Sequence, residues 1–258
     1  SVQVAQLPNL RRLSLKNAAY SSSGMAPLSG LTALTSLELV HLRHLPPPAA
    51  LAALTGLRHL CLEFYCSRQQ AAATLDGALL ALRQLTCLAL TGVDAVPAAV
   101  GSLPHLQRLF FWRQHDEADR ERDERWDDFR AEEGLELEEE PLEALHLPHP
   151  HTLRCLRVLG TNFRIAAASV PALVAMPALE ELWLPGAPHD RGVSAERWND
   201  FWGWAARHPP LRRFYVFDLD SYQRAARELI SLWAARPSLH VRLSDAWPMS
   251  FEAAFRAK

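Results

Sequence analysis

Leucines fall along this chain in short strings with an interval of three and then of two. The clearest are Leu10, Leu13, Leu15; Leu34, Leu37, Leu39; Leu57, Leu60, Leu62; Leu85, Leu88, Leu90; and Leu106, Leu109, Phe111. Leu153, Leu156, Val158; Leu179, Leu182, Leu184; and Leu211, Phe214, Val216 continue the series. The final interval of two puts both apolar side chains on one side of an extended strand and the residue between them on the other. Each string therefore predicts a short strand with one apolar face. Inner leucines at 13, 37, 60, 88 and 109 stand 24, 23, 28 and 21 residues apart, the length of a strand plus a return segment. The step from 109 to 156 is 47 residues, and Leu135 with Leu137 divides it. Val241 with Leu243 adds a last strand, for about ten in all. Leu145 and Leu147 would leave only 11 residues to Leu156, so Pro141 to Leu147 is read as a helix on the return path.

These strings resemble the leucine-rich repeat, and the match covers most of the chain. The resemblance implies an α/β solenoid: a curved parallel sheet of about ten short strands on the concave side, with helices and turns on the convex side. No repeat buries its leucines alone, so stacked neighbours share one core and the ends need caps. Longer repeats have room for a convex helix, as at Ala71 to Leu82; shorter ones, such as Val96 to Leu103, fit a proline-led turn. The position where many such repeats stack asparagines holds Ala18, Leu42, Tyr65, Val93 and Thr161. In lacking an asparagine ladder the chain is similar to the irregular intracellular type, ribonuclease-inhibitor-like or F-box-associated.

With 258 residues, 49% of them hydrophobic, and no linker-like break, one repeat domain spanning 1–258 is expected. The opening Ser-Val-Gln-Val and the early first strand suggest an N-terminally truncated fragment. A C-terminal cap is read over about 221–258, from a helix at Tyr222 to Ala235, a strand near His240 and a polar-ended helix at Phe251 to Lys258. No stretch approaches the roughly 18 apolar residues of a membrane span. Cys61, Cys66, Cys87 and Cys155 are scattered without a Cys-x-x-Cys pair, which favours a cytoplasmic or nuclear location over secretion. The net charge of −2 hides a segregation: 14 acids face 5 arginines between Arg113 and Glu140, and the remainder is basic. An acidic insertion at 113–133 is read as a solvated helical excursion. A docking segment for a basic partner, anchored by Trp126 and Phe129, and a lid over the basic concave face are its sharper readings.

Register also assigns the residues that point out of the concave sheet. Phe110, Trp112, Trp183, Tyr215 and Phe217 have no core duty in this register, and with Arg108, Arg157 and Arg213 they form the aromatic and arginine mixture enriched at binding hot spots. Packing beneath a loop is the competing explanation for Trp183 and Phe110. The aromatics Trp198, Phe201, Trp202 and Trp204, after a capping Ser194, instead read as an amphipathic helix covering the convex core.

Chemistry is thinly represented. His146, His149 and His151 sit on a proline-stiffened turn without a carboxylate or thiolate at ligand spacing, so no metal is expected. His59, Cys61 and Glu63 alternate on one strand, about 7 Å per step, too far apart for a catalytic relay. No phosphate-binding loop, nucleophile elbow or zinc-protease motif occurs, and no cofactor is implied. The expected function is therefore a non-catalytic module that binds a protein or peptide on its concave face. The alternatives are the substrate-receptor portion of an F-box-type ubiquitin ligase, which requires an F-box ahead of residue 1, and a nucleic-acid-binding scaffold, which the scattered arginines support least.

Overall fold

The computed structural model describes residues 7–16, 22–68, 71–93, 95–112, 147, 149–161, 170–184, 195–217 and 229–244. Nine strands form one parallel sheet in sequence order: β1 (Arg12–Lys16), β2 (Ser36–Leu42), β3 (His59–Arg68), β4 (Cys87–Val93), β5 (Arg108–Trp112), β6 (Val158–Thr161), β7 (Glu181–Leu184), β8 (Arg213–Phe217) and β9 (His240–Ser244). Each strand pairs with the next, the topology of a leucine-rich-repeat solenoid.

The inner leucines stack in register: Leu13 on Leu37, Leu60, Leu88, Leu109, Leu159, Leu182, Phe214 and Val241. This first face carries the main core, and the return segments close over it. Helix Ala71–Ala81 adds Leu75, Ala78 and Leu79, while Ala195–Arg207 adds Phe201, Trp202, Trp204 and Ala205. These rings do cover the core, as the sequence suggests; the Trp198 side chain and Ser194 lie outside the described residues. A 3-10 turn, Ala98–Ser102, follows Pro97 where a proline-led turn is expected.

A bend precedes every strand, closed by a bond from a leucine N–H to the carbonyl three residues back, as in Leu34 to Leu31 (2.9 Å) and Leu57 to Leu54 (2.9 Å); the acceptor is a leucine before β1–β6, and Met176, His208 and Arg236 before β7, β8 and β9. The working repeat is thus longer than the string visible in sequence: Leu31, Leu34, Leu37 and Leu39 all reach the core. In place of an asparagine ladder there is a carbonyl ladder. The residue before each of β1–β7 accepts two N–H groups from the next repeat: the Arg11 carbonyl from Thr35 and Ser36, that of Thr35 from Arg58 and His59, that of Arg58 from Thr86 and Cys87. The hydroxyls of Thr35 and Thr86 donate to the Arg11 and Arg58 carbonyls as well.

Two sequence expectations differ from the structure. Leu135 and Leu137 lie outside the described residues, and β5 pairs directly with β6, Arg108 with Val158 and Leu109 with Leu159, so the sheet holds nine strands among the described residues where about ten are expected. In the sixth repeat, Leu159 and Thr161 supply the inner pair instead of Leu156 and Val158. Leu153 and Leu156 are spent on the bend, the Leu156 N–H donating to the Leu153 carbonyl at 3.2 Å, which moves the strand three residues on. Pro141 to His146, the insertion at 113–133 and most of the predicted cap lie outside the described residues. Of the cap, residues 229–235 are helical and β9 is present.

At the last described turn Arg236 stands where the repeats up to β6 place a leucine. Its guanidinium donates to the carbonyls of Ala205 (3.0 Å), His208 (2.7 Å) and Leu211 (2.6 Å). These include the terminal carbonyls of the Ala195–Arg207 helix, where a cation also meets the negative end of the dipole.

Candidate interaction surface

On the second face of the sheet, away from the helices, parallel register aligns one outward residue from each strand into rows. The first reads Arg12, Ser36, His59, Cys87, Arg108, Val158, Glu181, Arg213, His240. The second reads Ser14, Glu38, Cys61, Ala89, Phe110, Gly160, Trp183, Tyr215, Arg242. Phe110, Trp183 and Tyr215 thus share a row, as the sequence register expects.

Their exposure differs from the expectation. Phe110 is fully buried and Trp183 is 7% exposed, in a second apolar cluster with Cys61, Cys87, Ala89 and Val158 against which Trp112 and Tyr215 pack. The assignment of these rings as free of core duty is therefore corrected: they make a small core of their own. Gly160 makes this possible. A Cβ at residue 160 would lie 2.7 Å from Cδ1 of Phe110 and 3.1 Å from the edge of Trp112, so only glycine lets the Phe110 ring lie over β6. Phe110 stacks with Trp112 at 5.5 Å and meets Trp183 edge-on at 5.9 Å; Trp183 continues to Tyr215 at 4.6 Å. What remains partly accessible is the flank of this aromatic layer, Trp112 and Tyr215.

Glu181 holds the layer in place. It is 8% exposed, and its two oxygens accept from Nε1 of Trp183 at 2.6 Å and from Nη1 of Arg213 at 2.8 Å. Burial, and then the Glu181 carboxylate, push the Tyr215 hydroxyl above its usual range, while a bond to Arg213 pulls the other way, so this phenol stays neutral. The sequence reading passes over both Glu181 and Gly160. The first carries a signal, a carboxylate two residues from a tryptophan on one strand face; the second does not, since its partners come from another repeat.

Of the predicted arginines, Arg108 and Arg213 take first-row positions on β5 and β8. Arg157 does not. The three-residue shift of β6 places it just before the strand, where Nε and Nη2 donate to Glu180 at 2.9 and 2.6 Å. The backbone of Phe217 belongs to β8, and its side chain lies outside the described residues.

The chemical constellations dissolve on inspection. Glu63 lies 3.4 Å from His41 Nδ1, and burial raises its carboxyl above the usual range. Burial pushes the Cys87 thiol up to about 12, far from a thiolate nucleophile at neutral pH. His149 and His151 meet edge to face at 5.9 Å, and among the described residues no three His, Cys, Asp or Glu side chains are grouped to hold a metal ion. No helix among the described residues is long and apolar enough to cross a membrane.

Neither a protein-family model nor a curated protein matches the chain. Among solved structures it is similar to an internalin (inlF) from Listeria monocytogenes str. 4b F2365, with 15% identity, coverage of 95% of this chain and 70% of that chain, and a TM-score of 0.45. The assignment of a leucine-rich-repeat solenoid stands on the parallel ladder and the stacked leucines themselves.

Proposed function

We propose that the chain is a non-catalytic interaction module that holds a protein or peptide against the second face of its sheet, beside Trp112 and Tyr215, with Arg108 and Arg213 as flanking polar anchors. The carrying observation is the aromatic row. Phe110, Trp183 and the buried Glu181 fix the half-buried rings from beneath, so a partner meets rings already ordered and loses little further side-chain entropy. Aromatic and arginine anchors set in a packed surround are the composition of binding hot spots. The same reading puts the module in the cytoplasm or nucleus, where reduced thiols such as Cys61 and Cys87 persist.

The test substitutes the flank and spares its support. Trp112→Ala and Tyr215→Ala should each weaken the Kd of a partner retained from cell extract by about 2 kcal/mol, close to thirtyfold, with the melting transition kept. Unchanged affinity in both variants would remove the second face from consideration.

A further inference from the structure

Among the described residues β9 pairs with β8 alone. The His240 N–H donates to the Arg212 carbonyl at 2.9 Å, so alternation along the strand turns the backbone N–H and C=O of His240 and Arg242 towards β8 and those of Val241 and Leu243 to the opposite edge. The core opens at the same place. Leu182 and Phe214, the inner residues of β7 and β8, are fully buried, whereas Val241, which stacks on Phe214, is only partly so. Ile230 and Trp233, about one turn apart on the helical residues 229–235, are each 61% exposed. With Leu229, Leu239 and Val241 they line a groove of about 430 Å³. Arg236 ties this turn to the carbonyls of Ala205, His208 and Leu211, so the groove is fixed to the preceding repeat. On the second face β9 presents His240 and Arg242, both exposed, and Arg242 makes no ion pair among the described residues.

We propose that the β9 edge takes an extended strand from a partner polypeptide in which apolar and acidic side chains alternate, at a surface separate from the aromatic second face. The edge itself selects a polypeptide: the backbone groups of Val241 and Leu243 are matched by another strand's N–H and C=O, which a nucleic acid lacks. The pleat selects the alternation. Side chains on one side of an added strand enter the groove against Trp233 and Val241, and those on the other emerge beside His240 and Arg242, about 5 Å away, where a carboxylate meets a guanidinium. A second copy of this chain brings no such anion. Two β9 strands side by side set His240 and Arg242 against the same cations, and β1 laid along β9 in the existing register brings Arg12 to His240 and Ser14 to Arg242.

The experiment titrates the full chain into a dye-labelled peptide of about six residues that alternates leucine with glutamate, and follows anisotropy. The comparison ligands are the same residues in two blocks, an alternating leucine–lysine peptide, oligothymidylate, and two peptides N-methylated on either alternate set of residues. The expected result is saturable binding that is lost on N-methylation of one set only and weakens about tenfold or more in Trp233→Ala, with the melting transition kept. Leu80→Ala removes a comparably exposed side chain, 52%, from the helix Ala71–Ala81 and should change little. Arg242→Glu should move the preference to the leucine–lysine peptide. Equal binding of the two-block peptide, indifference to both methylations, or equal losses in Trp233→Ala and Leu80→Ala would overturn the proposal. Tighter binding of oligothymidylate would overturn it too, as would a dimer of the chain that Trp233→Ala dissolves, which would give the edge to a second copy. Loss in Tyr215→Ala with none in Trp233→Ala would return the ligand to the second face, so the two readings fail separately.

Discussion

Strands β1–β5 and β6–β9 share one leucine core but present different second faces. In the first group the second row begins with Ser14 and Glu38 and turns apolar through Cys61 and Ala89 to Phe110. In the second group Gly160, Trp183 and Tyr215 sit beside a buried carboxylate that is bonded to both an indole and a guanidinium. After the boundary, Arg157 pairs with Glu180 and Arg213 with Glu181. First-face side chains must meet the same neighbours in every repeat, whereas second-face chemistry is free to vary, because the stacking interface does not depend on it.

The sharpest challenge to this division is in the core that both halves share. Leu60→Ala and Leu182→Ala, both fully buried, should each cost about 2–5 kcal/mol in urea unfolding. A loss in only one would mean that the halves differ in their core as well as in their second faces. Gly160→Ala comes next, at about 1–3 kcal/mol, because the new methyl must displace Phe110, whose ring is fully buried. Gly77→Ala, in a helix with nothing within 4 Å of its added Cβ, should stabilise by about 0.5–1 kcal/mol. If both glycine variants behave alike, the aromatic layer is not tightly packed.

The smallest effect concerns pH. Burial lowers the pKa of His59 in the first group and of His208 in the second, with nearby arginines adding to it and a bond to the Leu179 carbonyl opposing it at His208. Folded chains therefore bind these protons less readily than unfolded ones. Their cost is absent above the unfolded pKa of about 6.5 and appears as pH falls through it. Melting temperature should decline from pH 7 towards 5, less steeply in His208→Gln, whose unpartnered Nε2 is buried, than in His59→Gln, whose side chain reaches solvent. The reverse order would place the more strongly perturbed histidine in the first group.

The repeats from Leu13 to Leu109 are legible because interval and period agree: an apolar pair two residues apart, returning every 21 to 28 residues, leaves one register open. The sixth repeat is ambiguous, since Leu153, Leu156, Val158, Leu159 and Thr161 contain two overlapping candidates. Pattern alone chooses the nearer pair, but closing the bend consumes Leu156. Leu135 and Leu137 satisfy the same pattern among acids, and pattern alone does not show that β5 pairs directly with β6. On the second face, direction is readable for Phe110, Trp183 and Tyr215, and burial is not. Whether a ring lies exposed depends on what stands beside it in the row, and those neighbours come from other repeats.

Sequence alone determined the solenoid, its inner leucines from Leu13 to Leu109 and the basic character of the chain outside the acidic run, because these follow from local periodicity and composition. Tertiary structure decided the rest. It set the order of strands in the ladder, brought Gly160 beneath Phe110, joined Glu181 to Trp183 and Arg213, and aligned Arg12, His59 and Arg108 in one row. Each of these is a contact or alignment between repeats. Stacking fixes such relations residue by residue across the sheet, and no single repeat contains them.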